Sequence, residues 1–374
     1  MKRLIYIFFL FALLSCDKER GAVRQGELMQ FSVLTPEMLS TKAEVTIDGL
    51  LSGTNPDQVY VYGVSSDGVS SAPIFNFPGT AKLQYETKSR TWKPLQIDNE
   101  DRDKYIDELW DNTGTLYYQF YGYAYSGNAE LGTNLVISNE ASGRQFTVQQ
   151  PVSAAWSAPG NQGGVVDGSG TIDYLLSYLV DVPPSPSGNY PLVKLQLEHA
   201  MAKVEVDVQI ARAMLGKINN VSLEFSGVKS AATMLCLQPK MDIDSGSNSW
   251  IVTLNENAPD ATYTVNDVVC SEANLADGEG FISPDMSFLA IPVANVDMDA
   301  YKLSLSYYDM QAPLTGDPTY EYEFNLKDFS PEGWVSGHKV RYVLTIDDSI
   351  HLSGSIVDYV DVDYLEGVML PDIR

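Results

Sequence analysis

Leu195-Gln196-Leu197-Glu198-His199-Ala200-Met201-Ala202-Lys203-Val204-Glu205-Val206-Asp207-Val208-Gln209-Ile210 holds two strands in one run of sixteen residues. In its first part the apolar side chains, Leu195 and Leu197, stand on odd positions; in its second, Val204, Val206, Val208 and Ile210 stand on even ones. Successive side chains of a strand point to opposite faces, so one straight strand cannot bury both sets. The phase must slip around His199-Ala200-Met201-Ala202, through a bulge or a bend that carries the chain between sheets. The alanines are small enough for close approach at such a corner. The lone His199 reads as a structural hydrogen-bonder there, not as a catalytic or metal-binding group.

Outward from this corner the chain keeps a two-residue period, with turn residues about every eight to twelve positions, the pattern of β-sandwiches. Val59, Val61 and Gly63 alternate with Tyr60, Tyr62 and Val64, and 116–123 is an aromatic strand with both faces usable. One short helix is expected at 103–110, where Tyr105, Ile106 and Leu109 share a face at helical spacing. Pro183, Pro184 and Pro186 break strand pairing at 182–188, because proline lacks the amide donor and fixes φ. The boundary between two domains is placed near residue 188. Eight strands are expected after it, at 192–197, 204–210, 221–225, 250–254, 288–292, 303–308, 320–324 and 340–346, enough for a further sandwich.

At the front, Lys2 and Arg3 precede an apolar run over 4–14, followed by Ser15 and Cys16. A basic start, a short apolar core and a small residue read as a secretory signal over 1–15, too short to span a bilayer at about 20 residues. Cys16 directly after Leu-x-Ser resembles a bacterial lipobox, in which the thiol is acylated and becomes the new N-terminus. Two or three acyl chains, at about 0.8 kcal/mol per buried methylene, hold a protein on a membrane nearly permanently. The formal net charge of -25 repels phosphate backbones, which argues against nucleic acid as a partner. With Cys16 lipidated, Cys236 and Cys270 are left; they are either two buried thiols, the preferred reading, or one disulfide.

Several segments, in order, are similar to one family. The 197–206 segment resembles the F-x-H-A-x-A-K-V-x-V strand of the fimbrillin-like (Mfa/Fim, type V pilin) lipoproteins of Bacteroidetes. The 118–125 segment resembles their aromatic F-x-A-Y strand, and Asp173-Tyr174-Leu175-Leu176 a further Asp-aromatic stretch. The 333–342 segment resembles their late W-x-x-G-x-x-Y-x-Y strand, with Arg341 beside its last aromatic position. Asp17-Lys18-Glu19 resembles an acidic surface-export tag. The resemblance implies two consecutive transthyretin-like β-sandwich domains and a structural role in a surface pilus, with a possible part in adhesion. It implies lipoproteins carried to the outer membrane and trimmed by a protease, after which a strand from another subunit fills the vacated groove. The partners implied are other pilus subunits, the outer membrane and the processing protease, with no cofactor.

The parts for such an assembly are identifiable. The chain divides into a signal peptide (1–15), a lipidated segment with a removable strand (16–43), an N-terminal sandwich (44–188) and a C-terminal sandwich with a strand extension (189–374). Met29, Phe31 and Val33 alternate with Leu28, Gln30 and Ser32, the candidate removable strand. Ile356, Val360, Val362 and Tyr364 alternate near the other end, the candidate donor strand, with ordinary edge strands as the competing reading. Family stalk subunits are cut after an arginine between strand and first domain. Here Arg24 precedes the strand, while Lys42, before Ala43, stands in the right place with a different side chain. Either a protease of other specificity acts, or the chain stays uncut as an anchor or terminal component.

No motif for catalysis is present. The 242–248 segment is a poor calcium loop, with its glycine one place early and Thr253 where a carboxylate is needed. No serine lies in a G-x-S-x-G elbow, 163–168 lacks nucleotide-loop spacing, and His199, His338 and His351 lack metal-ligand spacing. No enzymatic activity and no metal site are expected. The alternative function is a monomeric surface lipoprotein that binds glycans on exposed Trp92, Trp110, Trp156 or Tyr125, although core packing is the commoner fate of such rings.

Overall fold

The computed structural model describes residues 28–34, 58–75, 79–86, 91–96, 104–105, 110–111, 113–125, 135–140, 143–157, 171–236, 250–268, 286–310, 320–347 and 350–358. The chain is all-β: among the described residues the only helical segments are 3-10 turns at Arg212–Met214, Asn295–Asp297 and Leu326–Phe329. In chain order the strands are β1 (Phe31–Leu34), β2 (Gln58–Ser66), β3 (Ser71–Pro73), β4 (Thr80–Glu86), β5 (Thr91–Gln96), β6 (Lys104–Tyr105) and β7 (Tyr117–Tyr125). Then come β8 (Leu135–Glu140), β9 (Gly143–Gln149), β10 (Ser153–Ser157), β11 (Tyr174–Ser177), β12 (Val180–Val182), β13 (Val193–His199) and β14 (Ala202–Ile210). The remainder are β15 (Ile218–Lys229), β16 (Ala231–Cys236), β17 (Trp250–Leu254), β18 (Asp260–Val268), β19 (Met286–Ala290), β20 (Lys302–Asp309), β21 (Tyr320–Asn325), β22 (His338–Ile346) and β23 (Ile350–Asp358).

The first sheet closes on itself. Its path runs β7-β11-β13-β1-β5-β4-β2, and β2 pairs back along the length of β7. Odd-numbered Val59 and Val61 of β2 and even-numbered Tyr118, Phe120 and Ala124 of β7 fill the ring's interior core. The opposite face of these strands carries Tyr62, Tyr121 and Tyr123, which pack with Phe146, Val148 and Met234 of a four-stranded sheet ordered β17-β16-β9-β8. Both faces of the aromatic strand β7 are thus buried, as its composition leads one to expect. Gly122 sits where β7 faces Leu195 and Leu197; a Cβ there would lie 3.1 Å from their methyl groups. Its amide donates to Ser177 Oγ at 2.6 Å, at the break where the edge of β7 passes from β11 to β12.

A second unit is a sandwich of two sheets, β10-β18-β15-β20-β21 and β19-β14-β22-β23. Its core is contributed by alternating positions: Val204, Val206, Val208 and Ile210 of β14 against Leu223 and Phe225 of β15 and Leu303 and Leu305 of β20. Trp334 is fully buried at its centre and donates from Nε1 to the Tyr342 hydroxyl at 2.8 Å. The preceding Gly333 has φ +78°, and a Cβ on it would lie 2.1 Å from the Val293 carbonyl oxygen, so this approach needs glycine.

The phase slip at 199–202 is a corner between sheets. β13 ends in the closed sheet at His199, and β14 begins in the second sandwich at Ala202. Ala200 and Met201 between them are fully buried, with the Ala200 amide on the Tyr174 carbonyl at 2.8 Å. His199 Nδ1 meets the buried carboxylate of Asp173 at 2.9 to 3.0 Å, fixing the bend as a structural histidine does.

The observed pairing differs from the sequence reading at three places. The sheets do not part at residue 188. β13 lies beyond it yet belongs to the closed sheet, β16 and β17 join β9 and β8, and β10 pairs in parallel with β18. Proline ends β12 but does not end the sheet, because the sheet's next member returns after the turn. The helix expected at 103–110 is replaced in part by β6, where Tyr105 pairs with Leu95; pairing to a waiting edge outweighs a short helical pattern. Ile356, the first residue of the candidate donor strand, lies in β23 opposite Val340 and packs on the core of its own sandwich.

Candidate functional site

The site is built around β1. The strand is four residues long and sits between β13 and β5. It runs parallel to β13, with Phe31 beside Val193, Ser32 beside Lys194, Val33 beside Leu195 and Leu34 beside Gln196. On its other side Phe31 pairs antiparallel with Trp92. The Val193 amide donates to the Gln30 carbonyl at 3.0 Å, one residue before the strand begins.

The alternation read from the sequence sets which side chains enter the core. Phe31 is 0% exposed and Met29 3%, and Val33 packs partly against the same cluster. The Phe31 ring meets Phe120 edge to face, with centroids 5.4 Å apart at 82°. Trp92, Trp110, Tyr190, Val193 and Leu195 belong to the same cluster. Apart from β1, β13 and β5 are not paired to each other, so β1 is the closing member of the ring. All three residues of the candidate removable strand, Met29, Phe31 and Val33, are therefore brought into one core. Cys16, Arg24, Lys42 and Ala43 lie outside the described residues, as do Val360, Val362 and Tyr364. Cys236 ends β16, and Cys270 lies outside the described residues.

The aromatic groups considered as glycan platforms occupy other places. Trp110 is 3% exposed, stacked on Tyr190 at 4.4 Å and edge-on to Tyr118 and Phe120. Trp92 and Tyr125 are also buried, Trp92 against Tyr85 and Tyr125 stacked on Tyr60. These three rings are buried in the core clusters. Trp156 lies in β10, paired with Val265. Burial pushes the Tyr118 hydroxyl up to about 12, so it stays neutral and accepts the Asp111 amide at 2.8 Å.

A second feature escaped sequence reasoning. The face of β14 opposite its core side carries Lys203, Glu205 and Asp207, all buried. Neighbouring β22 runs parallel and supplies Lys339, 3.4 Å from Glu205, and Arg341, whose Nε–H donates to the Asp207 carboxylate. Lys203 lies 3.5 Å from Glu205. Burial pushes the Asp207 carboxyl above its ordinary range while the Arg341 guanidinium pulls it back. The signal was available in the alternation of charge along 203–207, but such a run ordinarily faces solvent. The arrangement is a ladder that fixes register between two parallel strands. Among the described residues no three His, Cys, Asp or Glu side chains gather as metal ligands.

No protein-family model matches the sequence. No curated protein matches it either. Solved structures similar to it include a fimbrial protein from Bacteroides vulgatus, at 13% identity and TM-score 0.47, covering 88% of this chain and 99% of that one. A fimbrial assembly protein from Parabacteroides distasonis is similar at 12% identity and TM-score 0.41, covering 89% of this chain and 99% of that one. A candidate cell adhesion protein from Bacteroides ovatus is similar at 12% identity and TM-score 0.48, covering 91% of this chain and 100% of that one.

Proposed function

We propose that the chain is a structural subunit of a surface pilus, carried as a Cys16-acylated lipoprotein on the outer membrane and assembled by strand exchange at the β1 position. The observation that carries this reading is the place of β1. It closes the first sheet, buries Phe31 and Met29 in the core, and pairs through few residues. Its three core-facing side chains contribute roughly 4–8 kcal/mol at about 1.5–3 kcal/mol for each fully buried one, with Val33 counted as partial. A strand of like pattern from another molecule can replace that contribution, with main-chain hydrogen bonds giving affinity and alternate side chains giving fit.

The covalent link decides which strand wins. While 35–57 is intact, β1 competes at an effective concentration of order millimolar and keeps its place. A cut between β1 and β2, with Lys42–Ala43 as the candidate bond, turns β1 into a separate peptide that leaves when a competitor arrives. An uncut molecule keeps its own strand and stays on the membrane as an anchor. Because Ile356 is engaged in β23, the donor segment starts after Asp358, with Val360, Val362 and Tyr364 as its core-facing residues.

The test is to cut the folded protein with a lysine-specific protease and follow it by size-exclusion chromatography and electron microscopy. Fibres or ladders of oligomers after the cut support the reading. A cut protein that forms no oligomers on its own and also binds no peptide spanning 359–374 refutes it.

A further inference from the structure

The run from β13 through the corner into β14 has two free ends, and each carries exposed apolar side chains. At one end, the pole of the first sheet, β13 starts at Val193. β7 starts at the same pole, because its other end pairs with β11 near the corner, and β2 ends there with Ser66 opposite Tyr117. Beyond Ser66 the β2–β3 hairpin turns through Asp67, Gly68, Val69 and Ser70, and Val69 is 96% exposed. The turn is well bonded. The Asp67 carboxylate accepts the Val69 and Ser70 amides at 2.9 and 2.7 Å, and the Asp67 amide donates to the Ser70 carbonyl at 3.2 Å. Gly68, at φ +88°, supplies the left-handed step. At the other end, the far end of the second sandwich, β14 stops at Ile210 and the Ala211 amide bonds the Ile346 carbonyl. There Tyr320 and Tyr322 are 42% and 37% exposed and Met310 58%. Met214 and Ile218 join the two tyrosines around a cleft of about 260 Å³. Lys217 in the same lining is exposed and has no ion-pair partner among the described residues.

We infer that these two ends fit each other, so that the Val69 turn of one copy seats at the far-end cleft of a second copy, head to tail. Charge selects a second copy as the occupant. Asp67, fully exposed beside Val69, brings a negative charge to the apolar tip, and Lys217 sets an unpaired positive charge beside the cleft. Elsewhere a formal charge of -25 makes two copies repel, which confines contact to surfaces that are apolar or opposite in charge. The turn is already ordered by its own hydrogen bonds, so seating Val69 costs little conformational entropy. Each copy uses two different surfaces, which makes the contact heterologous; it repeats into a line instead of closing as a dimer. The inference goes beyond strand exchange at β1, because this joint needs no cut and no departing strand.

The experiment uses the uncut chain, so strand exchange and this contact can fail separately. Sedimentation velocity over a concentration series is expected to show reversible growth through dimers to longer species. Val69→Ser should weaken that association roughly tenfold. Lys217→Glu should weaken it severalfold, and added salt should weaken it in the parent. Both side chains are exposed, so thermal melting should match the parent and separate lost association from lost folding. A diazirine-bearing aliphatic residue in place of Val69, photolysed in a mixture of isotopically light and heavy chains, locates the contact by mass spectrometry. Light–heavy adducts within 211–218, 307–310 or 320–322 are expected. A chain that stays monomeric at every concentration overturns the inference. So do adducts confined to other segments, including tip-to-tip adducts at 66–71, or a Val69→Ser variant that associates as the parent does.

Discussion

Phe31→Ala is the substitution that reads the role of β1 most sharply. The side chain is fully buried and ends in edge-to-face contact with Phe120. Returning a buried phenylalanine side chain to water costs about 1.5–3 kcal/mol. The void that remains adds to it, and buried Phe→Ala changes cost about 3–5 kcal/mol in total. Collapse is restricted here, because neighbouring β13 and β5 are held by their own sheet partners. The expected loss is therefore about 3–5 kcal/mol, read by urea unfolding followed through tryptophan fluorescence, since Trp92 and Trp110 report from the same cluster. Ser32→Ala, on the other face of the strand, serves as control and should cost less than about 1 kcal/mol. Hydrogen exchange should also speed at the Val193 amide, which bonds to Gln30. If Phe31→Ala costs no more than Ser32→Ala, β1 is not a structural member of the core, and the strand-exchange reasoning fails with it.

Other outcomes follow from the same geometry. Arg341→Met should destabilise by about 3 kcal/mol, since it leaves the 1%-exposed Asp207 side chain without its cation, whereas removing both charges should cost much less; thermal melting of the two variants beside the parent measures this. The Asp207 carboxyl is raised above 3.8 in the fold, mainly by burial, so its contribution to stability is present below that pH and is lost as pH rises through the folded value. The stability advantage of the parent over Asp207→Asn should therefore be larger at pH 4 than at pH 7 in urea titrations. Gly333→Ala should lower stability by about 2 kcal/mol or more, because it combines a positive φ with a Cβ pressed on the Val293 carbonyl; altered Trp334 fluorescence would accompany the loss.

Much of this fold is legible in the chain because its strands are half-buried and alternate strictly. The slip between Leu197 and Val204 locates a corner between sheets with no further information, since side-chain phase cannot change within a straight strand. β14 and β17 start or end within two residues of where alternation places them. β16 and β18 went unread because they continue β15 and β17 through short bends, and a long strand that changes sheets looks like one element or none. Near residue 188, Pro183, Pro184 and Pro186 report a local break in pairing, while the sheet itself continues through β13. The candidate site was legible in part: Met29, Phe31 and Val33 were found by their two-residue period. That β1 closes a ring depends on β13 and β5, which lie more than 50 residues downstream, and no local pattern encodes it.

The most direct test of exchange at β1 is to lock the strand. Ser32 and Lys194 stand side by side in β1 and β13, and Ser32→Cys/Lys194→Cys joins them under oxidation. Oxidised and reduced samples are both cut at Lys42 and examined by electron microscopy. Fibres from the reduced sample alone, restored when the oxidised one is reduced, are predicted. Identical behaviour of locked and unlocked protein would contradict the claim that β1 must leave for another strand to enter.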